Sequence, residues 1–439
     1  MISIFTVYSD ICKISAPAHW QIRRFKDIIT SSRSGIWGDE EKGDANDIVC
    51  YRVADFDYSN LCLKFDNITY RNVLPEQANE KLLSKGDLLL EKSGGGEKMP
   101  VGRVVLVNSP LRAVCSNFIQ ALSVNKKQSA RFVLYLFHSI YSNRINTLFF
   151  NQTTGIQNLK TAHYLAQEIF LPPYSEQEAI AAYLDKECEK IGRKIELLER
   201  KADAYSRLRR SLINRAVTRG LEPNTPMKST MIPWIGAIPA HWSIKRGKSL
   251  FKEVSRAVRP EDGVVTCFRN GEVTLRTNRR ITGFTESEQE IGYHGVRIGD
   301  LVIHQMDAFA GAIGISDSDG KCSPICIVCR EINSSEVDLK YYCQLLRVMS
   351  HRGYIQALAK GIRERTTDFR YKTLASLHFP APPIEEQKEI AAYLDEKCAK
   401  IDAILEKINT EVERLKELKR SLINEVVTGQ RAIDTESHS

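Results

Sequence analysis

Residues 176–218 recur as residues 386–428 at a constant offset of 210, without a gap and with 20 of 43 positions identical. EQEAIAAYLDKECEKI from Glu176 returns as EQKEIAAYLDEKCAKI from Glu386, and RSLINRAVT from Arg210 returns as RSLINEVVT from Arg420. Repetition at this length means that two like units must be built from one plan. Pro172-Pro173 and Pro382-Pro383 precede the copies, and Gly220 and Gly429 follow them, which are the punctuation expected on either side of a helix.

Within the repeat, apolar residues fall at Leu184, Cys188, Ile191, Ile195, Leu198, Ala202, Tyr205, Leu208 and Leu212. The second copy has Leu394, Cys398, Ile401, Leu405, Ile408, Val412, Leu415, Leu418 and Leu422. Both rows step 4, 3, 4, 3, 4, 3, 3, 4, a heptad seam with the same shortening near its end. Such seams pair with one another, and ~1.5 Å of rise per residue makes each helix roughly 65 Å long.

The repeat continues more faintly upstream. Pro17-Ala18-His19-Trp20 recurs as Pro239-Ala240-His241-Trp242, and Gly86-Asp87-Leu88 as Gly299-Asp300-Leu301, each followed by β-rich apolar runs at Val104–Val107 and Ile313–Ile315. The order is therefore head, helix, head, helix. The offset varies in the heads (222, then 213) and is fixed in the helices, so the helix length is held while the heads vary. The fold expected is α+β: two tandem mixed domains, residues 1–171 and 220–381, on two long antiparallel coiled-coil helices, 172–219 and 382–429, with pseudo-twofold symmetry and a tail at 430–439.

Of 439 residues, 62 are Lys or Arg and 54 Asp or Glu, a net charge of +8. Residues 1–175 carry 20 basic and 16 acidic side chains and residues 220–385 carry 22 and 18, so each head holds +4. A polyanionic partner suits this distribution. With 43% apolar residues, long disorder is excluded as the main theme. The start MISIFTVYSDICKIS lacks the features of an export signal, and Phe132–Phe137 is too short to cross a bilayer, so a cytoplasmic protein without membrane contact is expected. The eleven cysteines are spaced irregularly, and Cys326 and Cys329 lack the further His or Cys partners of a zinc site, so free buried thiols and no metal are expected.

If the helices lie antiparallel, the two heads point in inverted orientation, which matches the local twofold of duplex DNA. The helices then act as a ruler between two non-identical half-sites. The PP-x-x-EQ helix starts and RSLIN helix ends, occurring twice and each preceded by a P-A-H-W unit, resemble the specificity (S) subunit of type I restriction-modification enzymes over essentially the whole chain. The resemblance implies two target recognition domains that bind a bipartite site in double-stranded DNA and direct methylation and cleavage. It also implies docking of two methyltransferase (M) subunits, with restriction (R) subunits completing the assembly. S-adenosylmethionine, ATP and magnesium would be used by those partners, with no cofactor held by this chain. The competing readings are a coiled-coil adaptor whose heads bind proteins and, more distantly, an autonomous enzyme.

No catalytic set is visible. Leu171-Pro172-Pro173-Tyr174 resembles an amino-methyltransferase motif, but Leu171 cannot hydrogen-bond a target amino group, and Ala381-Pro382-Pro383-Ile384 lacks the aromatic as well; both read as helix entries. Lys92–Lys98 is glycine-rich without the order of a phosphate-binding P-loop. His19-Trp20 and His241-Trp242 read as packing residues, and Glu176 and Glu386 as first-turn acids favoured by the helix dipole. Base reading favours Arg or Lys on guanine and Asn or Gln on adenine. In the first head the candidates are Lys92, Lys98, Gln152, Thr154, Gln157 and Asn158. In the second they are Arg269, Asn270, Arg276, Asn278, Arg279 and Arg280, with Lys360, Arg363 and Arg365, and the loops at Gly155 and Gly361 occupy equivalent positions.

Overall fold

The computed structural model describes residues 16–108, 111–153, 155–279, 290–358 and 368–433. It falls into two compact units: one holds the residues up to Glu199 and those from Thr410 on, the other Arg200–Asn409. Each unit therefore owns one head, part of one long helix and part of the other. Both helical segments read from the sequence, 172–219 and 382–429, are divided between the units.

Four helices organise the molecule: α1 (Ala130–Ser142), α2 (Tyr174–Arg219), α3 (Leu339–His351) and α4 (Ile384–Val427). The double prolines stand just outside α2 and α4, as a residue type without a backbone donor should. The head helices α1 and α3 start on side-chain caps, Ser129 accepting from Phe132 N at 3.4 Å and Asp338 accepting from Tyr341 N at 2.8 Å.

The first head carries a six-stranded sheet in the order 29–34, 119–124, 88–91, 104–106, 62–63, 56–57. The second carries four strands, 251–253, 326–331, 301–304, 313–315, in the order of the first four of that sheet. Leu88 pairs antiparallel with Leu106, as Leu301 pairs with Ile315. Side-chain alternation sends Leu88, Leu90, Val104 and Leu122 to a core under α1, and Leu89, Val105, Ile119 and Ala121 to a separate core on the opposite face. The second head repeats this, with Leu301, Ile303, Ile313 and Cys329 under α3 and Val302, Cys326 and Val328 opposite. Cys326 and Cys329 thus lie on opposite faces of one strand. The ten cysteines among the described residues are free.

The Gly-Asp-Leu repeat proves to be a buried clamp. Asp87 accepts from Ser84 N (2.9 Å), Arg33 Nη2 (2.7 Å) and Ser123 Oγ (2.7 Å). Asp300 accepts from Arg297 N (2.8 Å) and from Arg256. In both heads a buried carboxylate ties the turn before a central strand to an arginine, which satisfies a charge that burial would otherwise penalise.

In the first unit, Ile180, Leu184 and Cys188 of α2 share a core with Leu422, Ile423 and Val426 of α4, and Lys194 Nζ reaches Glu411 Oε1 at 3.1 Å, so the two helices run antiparallel there. In the second unit, Ile213 and Val217 share a core with Ile390, Leu394 and Cys398, and Arg209 Nε reaches Asp402 Oδ1 at 3.2 Å, again antiparallel. Leu184, Leu394, Ile401, Ile408 and Leu415 are buried, and Ile191, Ile195, Leu198 and Leu405 are half-buried, as a seam requires. Leu208 and Leu418 are not: they are 46% and 52% exposed. The half-buried position is the next residue, Arg209 or Lys419, so the row runs 205, 209, 212 and 415, 419, 422. The expected shortening of the heptad is replaced by an uninterrupted 4, 3 step with a basic residue in it. A long aliphatic stem fills such a position and leaves the charge at the edge.

Candidate nucleic-acid interface

Each head is fixed to its spacer helix by the same joint. The strand after the His-Trp motif pairs antiparallel with the strand that feeds the helix, Gln21–Arg24 with Glu168–Leu171 and Ser243–Arg246 with His378–Ala381. Glu176 then accepts from Trp20 Nε1 at 3.0 Å and lies 2.8 Å from His19 Nε2. Glu386 accepts from Trp242 Nε1 at 2.9 Å and lies 2.8 Å from His241 Nε2. Both indoles are buried and both imidazoles are exposed. The first-turn acids are therefore partners of the His-Trp pair as well as dipole residues.

The adjoining glutamines complete the joint. Gln177 accepts from Ser129 N (2.9 Å) and donates to the Pro172 carbonyl (2.8 Å), while Gln387 accepts from Asp338 N (2.8 Å) and donates to the Pro382 carbonyl (2.9 Å). Ser129 and Asp338 are the caps of the head helices, so one buried amide couples the start of the head helix to the start of the spacer helix. Gly220 and Gly429 close the other end at φ +74° and +75°; a Cβ would meet Glu386 Oε1 at 2.9 Å in the first case and Pro17 Cδ at 2.3 Å in the second. The end of α2 thus abuts the joint of the second head, and the end of α4 that of the first.

The first-head candidates converge on one small sheet. Strand Ile156–Leu159 pairs with Phe150–Thr153 on one side and with Ser93–Gly94 on the other, which brings the Lys92 loop to the Gln152–Asn158 hairpin. Gln152 and Asn158 are exposed, and Asn158 Oδ1 accepts from Ser93 Oγ at 2.6 Å. Lys98 is exposed on the loop. Lys92 is half-buried, donates to Ser34 and to Gln120 Oε1 (3.4 Å), and burial lowers its pKa from the ordinary lysine value. Gln157 is placed differently from the expectation: its side chain is buried and accepts from Val101 N at 3.1 Å, because strand alternation turns it inward. Thr154 lies outside the described residues. The exposed Ser32 and the half-buried Gln120 and Ser34 continue this polar surface, with Gln120 Nε2 donating to Ser32 Oγ at 2.9 Å. They share the sheet face of Leu90 and Leu122, so strand alternation does not mark them in the sequence.

The second-head candidates gather round the hairpin of Val265–Cys267 and Val273–Leu275. Arg269 and Asn270 are exposed at its turn, Arg269 paired with Asp307 at 2.9 Å and Asn270 bonded to Glu272 at 3.3 Å. Arg279 is exposed, pairs with Glu272 at 3.3 Å and lies over the Phe268 ring at 4.2 Å. Arg276 is half-buried against Thr266, and Asn278 donates to Thr274 Oγ1 at 2.8 Å. Arg280, Lys360, Gly361, Arg363 and Arg365 lie outside the described residues. Among the described residues there is no group of three His, Cys, Asp or Glu side chains able to hold a metal, and no helix long and apolar enough to cross a membrane.

The family model of the type I restriction modification DNA specificity domain matches residues 17–201 and 278–414, well over half of the chain. The chain is 21% identical over 441 residues to the putative type I restriction enzyme MjaX specificity subunit of Methanocaldococcus jannaschii, covering 95% of each. It is 22% identical to the EcoKI specificity subunit of Escherichia coli over 79% of this chain and 75% of that one. Its fold is similar to a chain solved in work on complex assembly and conformational transition of the type I R-M system (TM-score 0.68, 16% identity, 95% of this chain and 100% of that one). It is also similar to the HsdS subunit of Thermoanaerobacter tengcongensis (TM-score 0.51, 17% identity, 95% and 98% covered). With a duplicated head, a duplicated joint and the family match over both copies, the chain belongs to the type I restriction-modification DNA specificity family.

Proposed function

We propose that this chain is the sequence-specific DNA-binding subunit of a type I restriction-modification complex, reading an asymmetric bipartite site with one half assigned to each head. The observation that carries the reading is the duplicated joint: two heads of different size and surface are held by the same Glu-Gln, His-Trp attachment. The framework is repeated, and the candidate reading surfaces are not. The length of the spacer helices sets the unread gap. The chain supplies no catalytic group; methyltransferase and restriction partners carry the chemistry with S-adenosylmethionine, ATP and magnesium, in a complex expected to hold two methyltransferase subunits in the cytoplasm.

Selection of bound sequences by the complex with its methyltransferase partner tests this. Exchanging residues 1–170 for another head should change one half-site only, and inserting a heptad into both helices should change the gap and leave both half-sites intact. Change in both halves, or an unaltered gap, would refute the modular ruler. Binding should also weaken steeply between about 50 and 200 mM salt; salt-independent binding to a protein partner would favour an adaptor.

A further inference from the structure

Arg347 on α3 has no answer to its charge. It is half-buried, its Nε is buried without a hydrogen-bond partner, and no carboxylate pairs with it among the described residues. Its guanidinium lies flat against the Arg269-Asn270-Gly271 turn: a Cβ on Gly271, whose φ is +88°, would fall 2.2 Å from Nη1 and 2.3 Å from Cζ. Burial, with Arg209 as the one neighbouring charge that acts in the same direction, presses its pKa below the ordinary arginine value. His351, one turn further along α3, is partly exposed, and its pKa is lowered by the burial of the rest of the ring and then by Arg347, Arg210 and Arg209 together. Among the described residues, the ion pair of these four side chains is that of Arg209 with Asp402. A guanidinium keeps its proton under such pressure, so the cluster stays cationic.

The first unit resolves the same position. His138 is the ninth residue of α1, as Arg347 is of α3, and Lys419 repeats Arg209 at the 210-residue offset. Burial and Lys419 push the His138 pKa down to about 4, leaving the ring neutral, and Lys419 Nζ donates to the Ser59 carbonyl at 2.8 Å. A neutral ring and a bonded ammonium coexist there. In the second unit both groups are permanent cations, and a stable free protein gains nothing from that.

We propose that Arg347, supported by Arg209, Arg210 and His351, is an anion site that seats one phosphate of the DNA backbone, present in the second unit alone. The proposal rests on the DNA-binding function above and goes beyond it in assigning the contact. A planar fork of donors, partly open to solvent and lacking an acid, fits a phosphate oxygen pair. Its position against the Arg269–Gly271 turn puts a phosphate beside residues suited to base edges, so Arg347 fixes register and reads no base.

The test uses the complex with its methyltransferase partner and a duplex carrying the target, as identified from methylated sites in cells bearing the system. Arg347→Gln should lower the salt slope of log affinity by about one and weaken correct and altered targets alike. Arg347→Lys should keep the slope, and His138→Gln in the other head should leave it unchanged. Without DNA, Arg347→Gln should melt no lower than the wild type, since an unpaired charge is lost. A full salt slope in Arg347→Gln, or a lower melting point with the slope intact, would reduce Arg347 to packing and overturn the site. Absence of salt-dependent DNA binding by the wild type would instead remove the functional reading beneath it.

Discussion

The two units share a frame and differ where the frame faces outward. Both have the His-Trp pair on a first-turn glutamate, the glutamine between two helix starts, the aspartate clamp and the four-strand order. The first head then adds two strands and a polar face of Ser32, Gln120, Ser93 and Asn158 beside Lys92. The second offers instead an arginine-rich hairpin, Arg269, Arg276 and Arg279. Duplication preserved the groups that face inward, where each lost hydrogen bond has a cost, and released those that face solvent, where substitution is nearly free. Two unlike surfaces on one support are what an asymmetric target requires.

Removing the indole from either joint is the severest way to break this equivalence. Trp20→Ala and Trp242→Ala should each cost about 3–5 kcal/mol, from lost packing and a glutamate acceptor left without its indole donor. Chemical unfolding followed by probes placed in each unit should show the loss in the unit that carries the substitution; a loss below about 1 kcal/mol would show that the joint is dispensable.

The position occupied by His138 and Arg347 separates the units by pH. His138 has its pKa pushed down to about 4 from an ordinary 6.5, chiefly by burial. Between these values the unfolded chain binds a proton that the folded chain does not, so stability rises with pH through the window and falls on acidification from about 6.5 toward 4. The contribution is about 1.4 kcal/mol per pH unit, on the order of 3 kcal/mol in all. The first unit should lose this amount relative to a His138→Gln variant, and parallel pH profiles for the two proteins would refute the assignment. The second unit holds Arg347 at the matching position and has no such histidine there.

Of the glutamines, Gln177→Ala and Gln387→Ala should each destabilise by about 1–3 kcal/mol, by leaving a head-helix cap donor and a proline carbonyl unsatisfied. The two costs should agree within a factor of two, since the partners are equivalent; a cost confined to one unit would show that the joints are alike in geometry and unlike in energy.

What was legible in the sequence was whatever depends on local order. Helix limits at 174 and 384 follow from the prolines, and the strands after Gly-Asp-Leu follow from apolar runs. The partner of a motif was hidden, because His19 and Glu176 lie 157 residues apart and each has an adequate local explanation. Placement of candidate bases-readers failed in a specific way at Gln157: its neighbours Ile156 and Asn158 are exposed and it is buried, an inversion of the usual polarity that only the sheet register reveals. Arg347 gave no signal either, since a lone arginine in an amphipathic helix reads as a solvated side chain.

The smallest effect concerns the seam. Apolar spacing assigns Leu208 and Leu418 to the helix interface, yet both are about half exposed and Arg209 and Lys419 take their place in the buried row. Leu208→Ala and Leu418→Ala should therefore change stability by no more than about 0.5 kcal/mol, whereas Leu184→Ala and Leu394→Ala, at positions almost without exposure, should cost about 2–5 kcal/mol. A loss above 2 kcal/mol at Leu208 or Leu418 would reinstate the shortened heptad. A small loss at both would show that the two helices carry a basic residue in the same place in each unit, as a property of the repeat. The cationic cluster round Arg347 then follows from one further change on α3, the arginine that stands where α1 has a titratable histidine.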